Sequence, residues 1–376
     1  MASALDRVAG LPCAAPLLAV ARAHAAPVHL VGGALRDLLL GGVPRELDVA
    51  VEGEVAGLAA ALGGARAVHE RFATATVEAE GCRFDLARTR AERYPRPGAL
   101  PEVRPAGIEE DLRRRDVTVN ALALDLADGT LRAVAHARED LDAGLLRVLH
   151  DRSFRDDPTR LWRVARYGAR LGFALEPRTA ELAAEAVAEG ALDTVSGPRI
   201  GNELRLALRE PDPVAALERA VDLGLAPWLA PDRSRTEAAL ALLPPEGRPD
   251  LVVLAAALRE DGERLDALGF RTAERKVVLR ALAPPRPGGQ RPSDLLAAFR
   301  GAPVEAVALS PDREAAARWL GGLGDVHLAI SGADLVAGGV PPGPEVGRRL
   351  DRVLAAVLDG DVAPGRESEL AAALAD

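Results

Sequence analysis

The sequence predicts an α+β chain, with a small α/β domain at the front and an almost wholly helical remainder. Three observations predict it. Within the first 130 residues, apolar runs of strand length alternate with helical patterns. From about residue 156 onward the apolar spacing is helical nearly throughout. It breaks at Gly197-Pro198, Pro244–Pro249, Pro284–Pro292 and Pro341–Pro344. Finally, 376 residues with 48% hydrophobic content suffice for two or three domains.

In the front domain, strands are expected at Val28–Val31, Leu47–Val51, Ala75–Ala79 and Arg83–Ala87, with helices at Ala34–Leu40 and Glu54–Leu62. Tyr94–Gly107 holds four prolines and two glycines and is expected to be a mobile loop. Farther on, Pro158 suits the first position of a helix and Asp157 its N-cap. Leu161, Val164, Ala165, Gly168 and Leu171 then make an apolar stripe, with Arg160, Arg163, Arg166 and Arg170 off it.

Composition excludes several function classes. The net charge of −9 gives no whole-chain case for nucleic-acid binding, so any such case is local. Lys276 is the only lysine among 47 basic residues, a bias that a GC-rich genome explains without invoking phosphate recognition. No run of about 18 apolar residues is present, so no membrane span is expected. The Ala-rich segment Leu17–Ala26 is interrupted by Arg22 and His24 and reads as an amphipathic helix rather than a signal peptide. Cys13 and Cys82 match no metal spacing, and a reduced, cytoplasmic setting is expected.

Four constellations carry chemistry. First, Gly32-Gly33 follows an apolar strand and opens a helix, leaving backbone N–H groups free where the helix dipole favours an anion. Arg36 can return to that end. Second, Glu46 and Asp48 lie two residues apart, so on a strand both point the same way. Paired carboxylates beside a glycine turn suit Mg²⁺ and a polyphosphate, and Asp85 is the expected third carboxylate. Third, Arg113, Arg114 and Arg115 run into Asp116 and Asn120, setting phosphate-binding and hydroxyl-binding groups together. Fourth, Asp157 and Arg160 stand about one helical turn apart and can hydrogen-bond a base edge as a complementary pair. Around them, Arg147–Arg170 carries seven Arg against three Asp, net +4, a footprint for polyphosphate or RNA.

In this order the segments resemble the class II tRNA nucleotidyltransferase/poly(A) polymerase family. The matching pieces are Val31-Gly32-Gly33-Ala34-Leu35-Arg36-Asp37, Glu46-Leu47-Asp48, Arg83–Arg90 and Glu110-Asp111-Leu112 with Arg114 through Ala121. Asp156-Asp157-Pro158-Thr159-Arg160 and Arg199-Ile200-Gly201-Asn202-Glu203-Leu204 follow. Each is weak alone; six in order are specific. Beyond residue 205 the likeness thins to Ser331–Leu335 and Gly343–Gly347.

The resemblance implies a nucleotidyltransferase head over residues 1–150, a helical neck with a base-selecting helix over 151–230, and a tRNA-binding body and tail over 231–376. It implies that Gly33 and Arg36 hold a triphosphate and that Glu46 and Asp48 bind Mg²⁺. Arg115, Asp116 and Asn120 would handle sugar and phosphates. Asp157 and Arg160 would select C or A, aided by Arg163 and Arg166. The implied partners are the tRNA 3′ end, CTP and ATP, for a monomer or homodimer. The implied activity is Mg²⁺-dependent addition of CCA to tRNA.

Two departures stand out. Glu46-x-Asp48 replaces the family's usual Asp-x-Asp, and Val134-Ala135-His136-Ala137 replaces an Asp-Pro-Phe-Gly-Gly-like turn. Rivals of the same fold are an A-adding or CC-adding enzyme or a bacterial poly(A) polymerase. The family links a loop such as Tyr94–Gly107 to the switch to ATP, which argues against CC-only addition. A rival of another class, motivated by Glu46, is a catalytically silent RNA-binding protein.

Overall fold

The computed structural model describes residues 3–12, 14–44, 46–63, 67–69, 73–79, 82–259 and 262–375. They form two compact units, Met1–Ala226 and Pro227–Asp376. Residues 1–150 and nearly all of 151–230 thus share the first unit. The fold is α+β.

In the first unit, helices α1 (Ala4–Ala9) and α2 (Ala14–Ala23) precede β1 (Val28–Val31), α3 (Gly32–Leu39), β2 (Leu47–Val51) and α4 (Val55–Ala61). Strands β3 (Ala67–His69), β4 (Thr74–Ala79) and β5 (Cys82–Arg88) follow, then β6 (Arg90–Arg93), β7 (Glu102–Pro105) and α5 (Ile108–Arg113). Next come β8 (Leu122–Asp125), β9 (Leu131–Ala133) and α6 (Ala137–Ala143). Seven of the strands form one mixed sheet in the order β3-β4-β5-β2-β1-β8-β9. Interior strand β1, Val-His-Leu-Val, is buried along its whole length. β2 pairs with β5 in parallel, Asp48 opposite Asp85, while β1 lies antiparallel to both β2 and β8.

The helical part of this unit comprises α7 (Ser153–Asp156), α8 (Thr159–Leu171), α9 (Pro177–Ala188), α10 (Gly197–Ala207) and α11 (Pro213–Asp222). α8 packs against α10 and α11. A Cβ on Gly168 would lie 2.9 Å from the Arg219 guanidinium of α11, so this glycine permits the close approach. The expected stripe is buried at Leu161, Val164, Ala165 and Gly168, joined by Trp162. Arg160 and Arg166, although off the apolar stripe, are buried as well.

The second unit is helical, running from Arg233–Leu240 to Arg366–Leu374. Pro249–Ala257 is buried from Leu251 to Ala257. Leu295, Phe299 and Val307 form one apolar cluster, and Leu335, Val353 and Ala373 another. No helix among the described residues is long and apolar enough to cross a membrane.

Two expectations are corrected. Tyr94–Gly107 is not a free loop, because β6 and β7 pair antiparallel from Arg90↔Pro105 to Arg93↔Glu102. The prolines sit in the turn and at the strand end, where no ladder N–H is lost. The loop tip is tied down: Gly98 N–H donates to Asp156 O (3.2 Å), and its own carbonyl accepts from Arg199 Nη1 (2.6 Å). Cys82 is disulfide-bonded rather than a lone thiol, and Cys13 lies outside the described residues.

Gly98 has φ +68, and a Cβ there would collide with Thr194. Gly98→Val should therefore release the tip. Amide exchange at residues 94–101 should quicken while the seven-stranded sheet stays protected. Unchanged exchange would show that this contact does not hold the loop.

Candidate active site

The parallel register of β2 and β5 places Asp48 and Asp85 side by side on one face of the sheet, while Leu47, Val49, Phe84 and Leu86 face the core. Gly32 and Gly33 open α3 beside them. Gly32 has φ +64, and a Cβ there would lie 2.8 Å from Arg115 Nη1 and 3.6 Å from Asp48 Oδ2. The missing side chain is what lets backbone, guanidinium and carboxylate meet. Burial raises the Asp48 pKa and the neighbouring Asp85 charge adds to it, while Arg115 and the Ala34 N–H at the α3 N-terminus work the other way. These groups line a cleft of about 1130 Å³ within the first unit.

The opposite wall is built on Asp111 of α5, which is 1% exposed. One of its oxygens accepts from Arg114 (2.7 and 2.9 Å) and from the Arg90 N–H (3.1 Å); the other accepts from Arg115 Nη2 (3.0 Å). Burial alone would raise its pKa, but Arg114 and Arg115 hold it below the ordinary carboxylate value. Asp116 follows the same logic. It is buried, yet Arg163, Asn120 and Tyr167 keep its pKa low. Its Oδ1 accepts from the Val117 N–H and Asn120 Nδ2, and its Oδ2 accepts from the Tyr167 hydroxyl at 2.9 Å. Behind this wall Arg36, 1% exposed, donates to Asn120 Oδ1 at 2.6 Å and to Asp37.

The helix turn before α8 supplies the remaining groups. Asp157 Oδ1 accepts from the N–H and hydroxyl of Thr159 and from Arg199 Nη2 at 3.0 Å. Thr159 is thus tied to Asp157, but the N-cap of α8 is Pro158, with no side-chain cap bond, which corrects by one residue the expected N-cap at Asp157 and first helical position at Pro158. Arg160, 2% exposed, donates to Ser153 Oγ (2.6 Å) and to the Arg114 carbonyl (2.8 Å), and lies 5.8 Å from the Tyr94 ring centre. Burial pushes the Tyr94 phenol up to about 12. Arg163 lies between Asp116 (3.7 Å), Asp157 (3.9 Å) and Glu203 (3.5 Å). Burial opposes its charge, but these neighbours hold its pKa above the ordinary value.

The cleft thus gathers Gly32, Gly33, Asp48, Asp85, Arg115, Asp116, Asn120, Asp157, Arg160 and Arg163. Three expected residues do not line it. Glu46 is half-exposed and ion-paired to Arg83 at 3.1 Å, and Arg83 also meets Asp85 at 3.2 Å. Arg36 stands behind Asn120. Arg166 is buried 3.8–3.9 Å from Glu203 and Glu210. The local +4 of residues 147–170 is largely answered by carboxylates from elsewhere: Asp140 and Glu176 meet Arg147, Glu189 meets Arg155, and Glu210 meets Arg170.

Asp111, Tyr94, Tyr167, Arg199 and Glu203 are among the lining residues that sequence reasoning left without a role. The i, i+3 and i, i+4 spacing of Asp111 to Arg114 and Arg115 was the available signal.

As a donor set for Mg²⁺, Asp48 and Asp85 fit: two hard oxygen ligands in register, one of them partly buried and disfavoured as a bare anion. Glu46 would join them only by exchanging Arg83 for the metal. Among the described residues no group of three or more such side chains is already assembled.

Comparison with known proteins agrees with this geometry. Residues 28–147 match a family model described as the poly A polymerase head domain. Residues 172–235 match one described as "Probable RNA and SrmB- binding site of polymerase A". The CC-adding tRNA nucleotidyltransferase of Deinococcus radiodurans is 38% identical over 91% of this chain and 87% of its own length. The A-adding tRNA nucleotidyltransferase of Geobacter sulfurreducens is 34% identical over 93% of this chain but only 45% of its own. Two further A-adding relatives are likewise matched over less than half their length. Among solved structures, the Thermotoga maritima CCA-adding enzyme complexed with tRNA superposes with a TM-score of 0.73 at 26% identity, covering 99% of this chain and 98% of that one. The chain belongs to the tRNA nucleotidyltransferase/poly(A) polymerase family.

Asp111→Asn should destabilise the first unit by about 3–5 kcal/mol at neutral pH, because Arg114 and Arg115 lose a buried partner. A depressed pKa contributes stability that is complete above the unfolded value of about 3.9 and is lost as pH falls below it. Denaturation midpoints taken from pH 7 to 3 should therefore fall less steeply below about pH 4 in the variant. Parallel curves would contradict the assignment.

Separately, Gly32→Ala should displace Arg115 and cost about 1–2 kcal/mol for its left-handed backbone. Thermal unfolding measures that cost.

Proposed function

We propose that this protein adds nucleotides from CTP and ATP to the 3′ end of tRNA to complete CCA, releasing pyrophosphate. The observation that supports the reading best is that one cleft holds both a carboxylate pair beside a helix N-terminus and the Asp157–Arg160 turn. The first suits a triphosphate and the second a base edge, so chemistry and base choice share one site.

In this reading the RNA 3′-hydroxyl oxygen attacks the α-phosphate, and the bond to the β-phosphate oxygen breaks. Mg²⁺ held by Asp48 and Asp85, with Glu46 once freed from Arg83, would supply charge neutralisation at the phosphates and acidify the hydroxyl. The Gly32–Gly33 amides and Arg115 orient the phosphates. Asp116 and Asn120 meet the sugar, and Arg36 acts through Asn120 to fix it. Asp157 and Arg160 read the base after exchanging their present partners, Arg199 and Ser153, with Arg163 following. Arg166 supports that helix from behind. The second unit would hold tRNA.

A second reading, addition of the terminal A alone, is favoured by the A-adding relatives and by the built β6–β7 hairpin.

The deciding assay uses Mg²⁺, CTP and ATP, supplied singly and together, with tRNA transcripts lacking CCA, CA or A. Completion of all three supports CCA addition. A single A on the last substrate alone supports the second reading, and a long A-tract a poly(A) polymerase. Bound tRNA without product would favour a silent binder. Asp48→Ala should abolish incorporation with the fold intact by circular dichroism, and an active variant would overturn the carboxylate assignment.

A further inference from the structure

We propose that Tyr167 is a positioning residue that sets ribose against deoxyribose selection, by holding the Asp116 carboxylate ready for the sugar 2′-hydroxyl. The inference rests on the nucleotide-transfer reading and on Asp116 meeting the sugar.

An ionised carboxylate accepts hydrogen bonds and donates none. Two of Asp116's acceptor positions, both on Oδ1, are filled by the Val117 N–H (2.9 Å) and Asn120 Nδ2 (3.0 Å). On Oδ2, Tyr167 fills one at 2.9 Å, and Arg163 lies at 3.7 Å, beyond hydrogen-bond reach. One acceptor direction on Oδ2 is left, on a residue that lines the cleft. Its match must be a donor. In a nucleoside triphosphate, phosphates accept only, and the base edge is the province of Asp157 and Arg160. A sugar hydroxyl remains.

Tyr167 can fix that direction because it is itself fixed. Its ring lies 5.7 Å from the Arg36 guanidinium carbon and 5.8 Å from that of Arg166. The circuit closes: Tyr167 holds Asp116, Asp116 holds Asn120, Asn120 accepts from Arg36, and Arg36 stacks on Tyr167. Three separate segments of the first unit meet in it, around Arg36, residues 116–120 and Tyr167. Burial drives the Tyr167 phenol pKa up, so its hydroxyl keeps its proton and stays a donor at neutral pH. Phenylalanine would keep the ring and both stacks and delete only the hydroxyl. Oδ2 would then be free to turn toward Arg163.

The test compares wild type and Tyr167→Phe in the full chain, with ATP, 2′-deoxy-ATP and 3′-deoxy-ATP. It measures kcat and KM on tRNA lacking its terminal A, and nucleotide affinity by calorimetry. We expect the preference for ATP over 2′-deoxy-ATP to shrink about tenfold in the variant, the scale of one well-placed hydrogen bond. Incorporation of 2′-deoxy-ATP should be little changed.

A merely structural hydroxyl would lower the melting temperature and reduce all three nucleotides alike, which would overturn the proposal. So would an unchanged ATP to 2′-deoxy-ATP ratio, a wild type with no such preference, or a change confined to 3′-deoxy-ATP. A wild type that binds ATP over 2′-deoxy-ATP yet transfers neither would sink the reading that A is added, while the binding ratios still judge Tyr167.

Discussion

Burying a carboxylate without partners costs several kcal/mol, and at Asp111 that cost is met by drawing two guanidinium groups and a backbone amide onto one side chain. Much of the cleft depends on this exchange. Arg115, so held, reaches over Gly32 to Asp48. Arg114, so held, pairs with Glu92 of the β6–β7 hairpin and offers its carbonyl to Arg160 of α8. One carboxylate thus sets the distances between the phosphate end, the hairpin and the base-reading turn. None of these elements is adjacent to another in sequence.

The same economy explains how an acidic chain builds an arginine-lined site. Nearly every cleft arginine is answered by a carboxylate or carbonyl, so the site is not a pool of free positive charge. It is a set of cations already oriented by their partners, and an incoming polyanion competes with carboxylates rather than with water. Arg163 differs from the rest, because three carboxylates lie at 3.5–3.9 Å and none closer. It is the cleft arginine whose present contacts a ligand would displace most readily.

The strands of the first unit were legible as short apolar, β-branched runs, unbroken in Val28–Val31 except for His29 and interrupted by one carboxylate in Leu47–Val51. Val28–Val31 and Leu47–Val51 fall where the pattern placed them. The β6–β7 hairpin was not legible, since prolines and charges mask its pairing and β7 is exposed along its length, with no buried face to betray a strand. Periodicity put Arg160 and Arg166 off the apolar stripe but could not show that they are buried. A guanidinium reads as surface until its partners are known, and those partners, Ser153, the Arg114 carbonyl, Glu203 and Glu210, lie up to 46 residues away. Asp48 and Asp85 could be named from the sequence, as could Glu46, but Arg83's claim on Glu46 could not. Tyr167 was hidden for a different reason: an aromatic on an amphipathic helix looks like core.

The pairing of β2 with β5 has an arithmetic consequence for the evolution of this chain. Side chains in a strand change face with every residue. Deleting one of the three residues Cys82, Arg83 and Phe84 would send the Asp85 carboxylate into the apolar layer and bring Leu86 to the cleft. Deleting two would restore the face but move the carboxylate about 6–7 Å along the strand. The three residues ahead of Asp85 lie inside the ladder with the neighbouring strands, so a length change among them alters where the carboxylate stands. Within this strand, parity and not burial alone limits insertion and deletion.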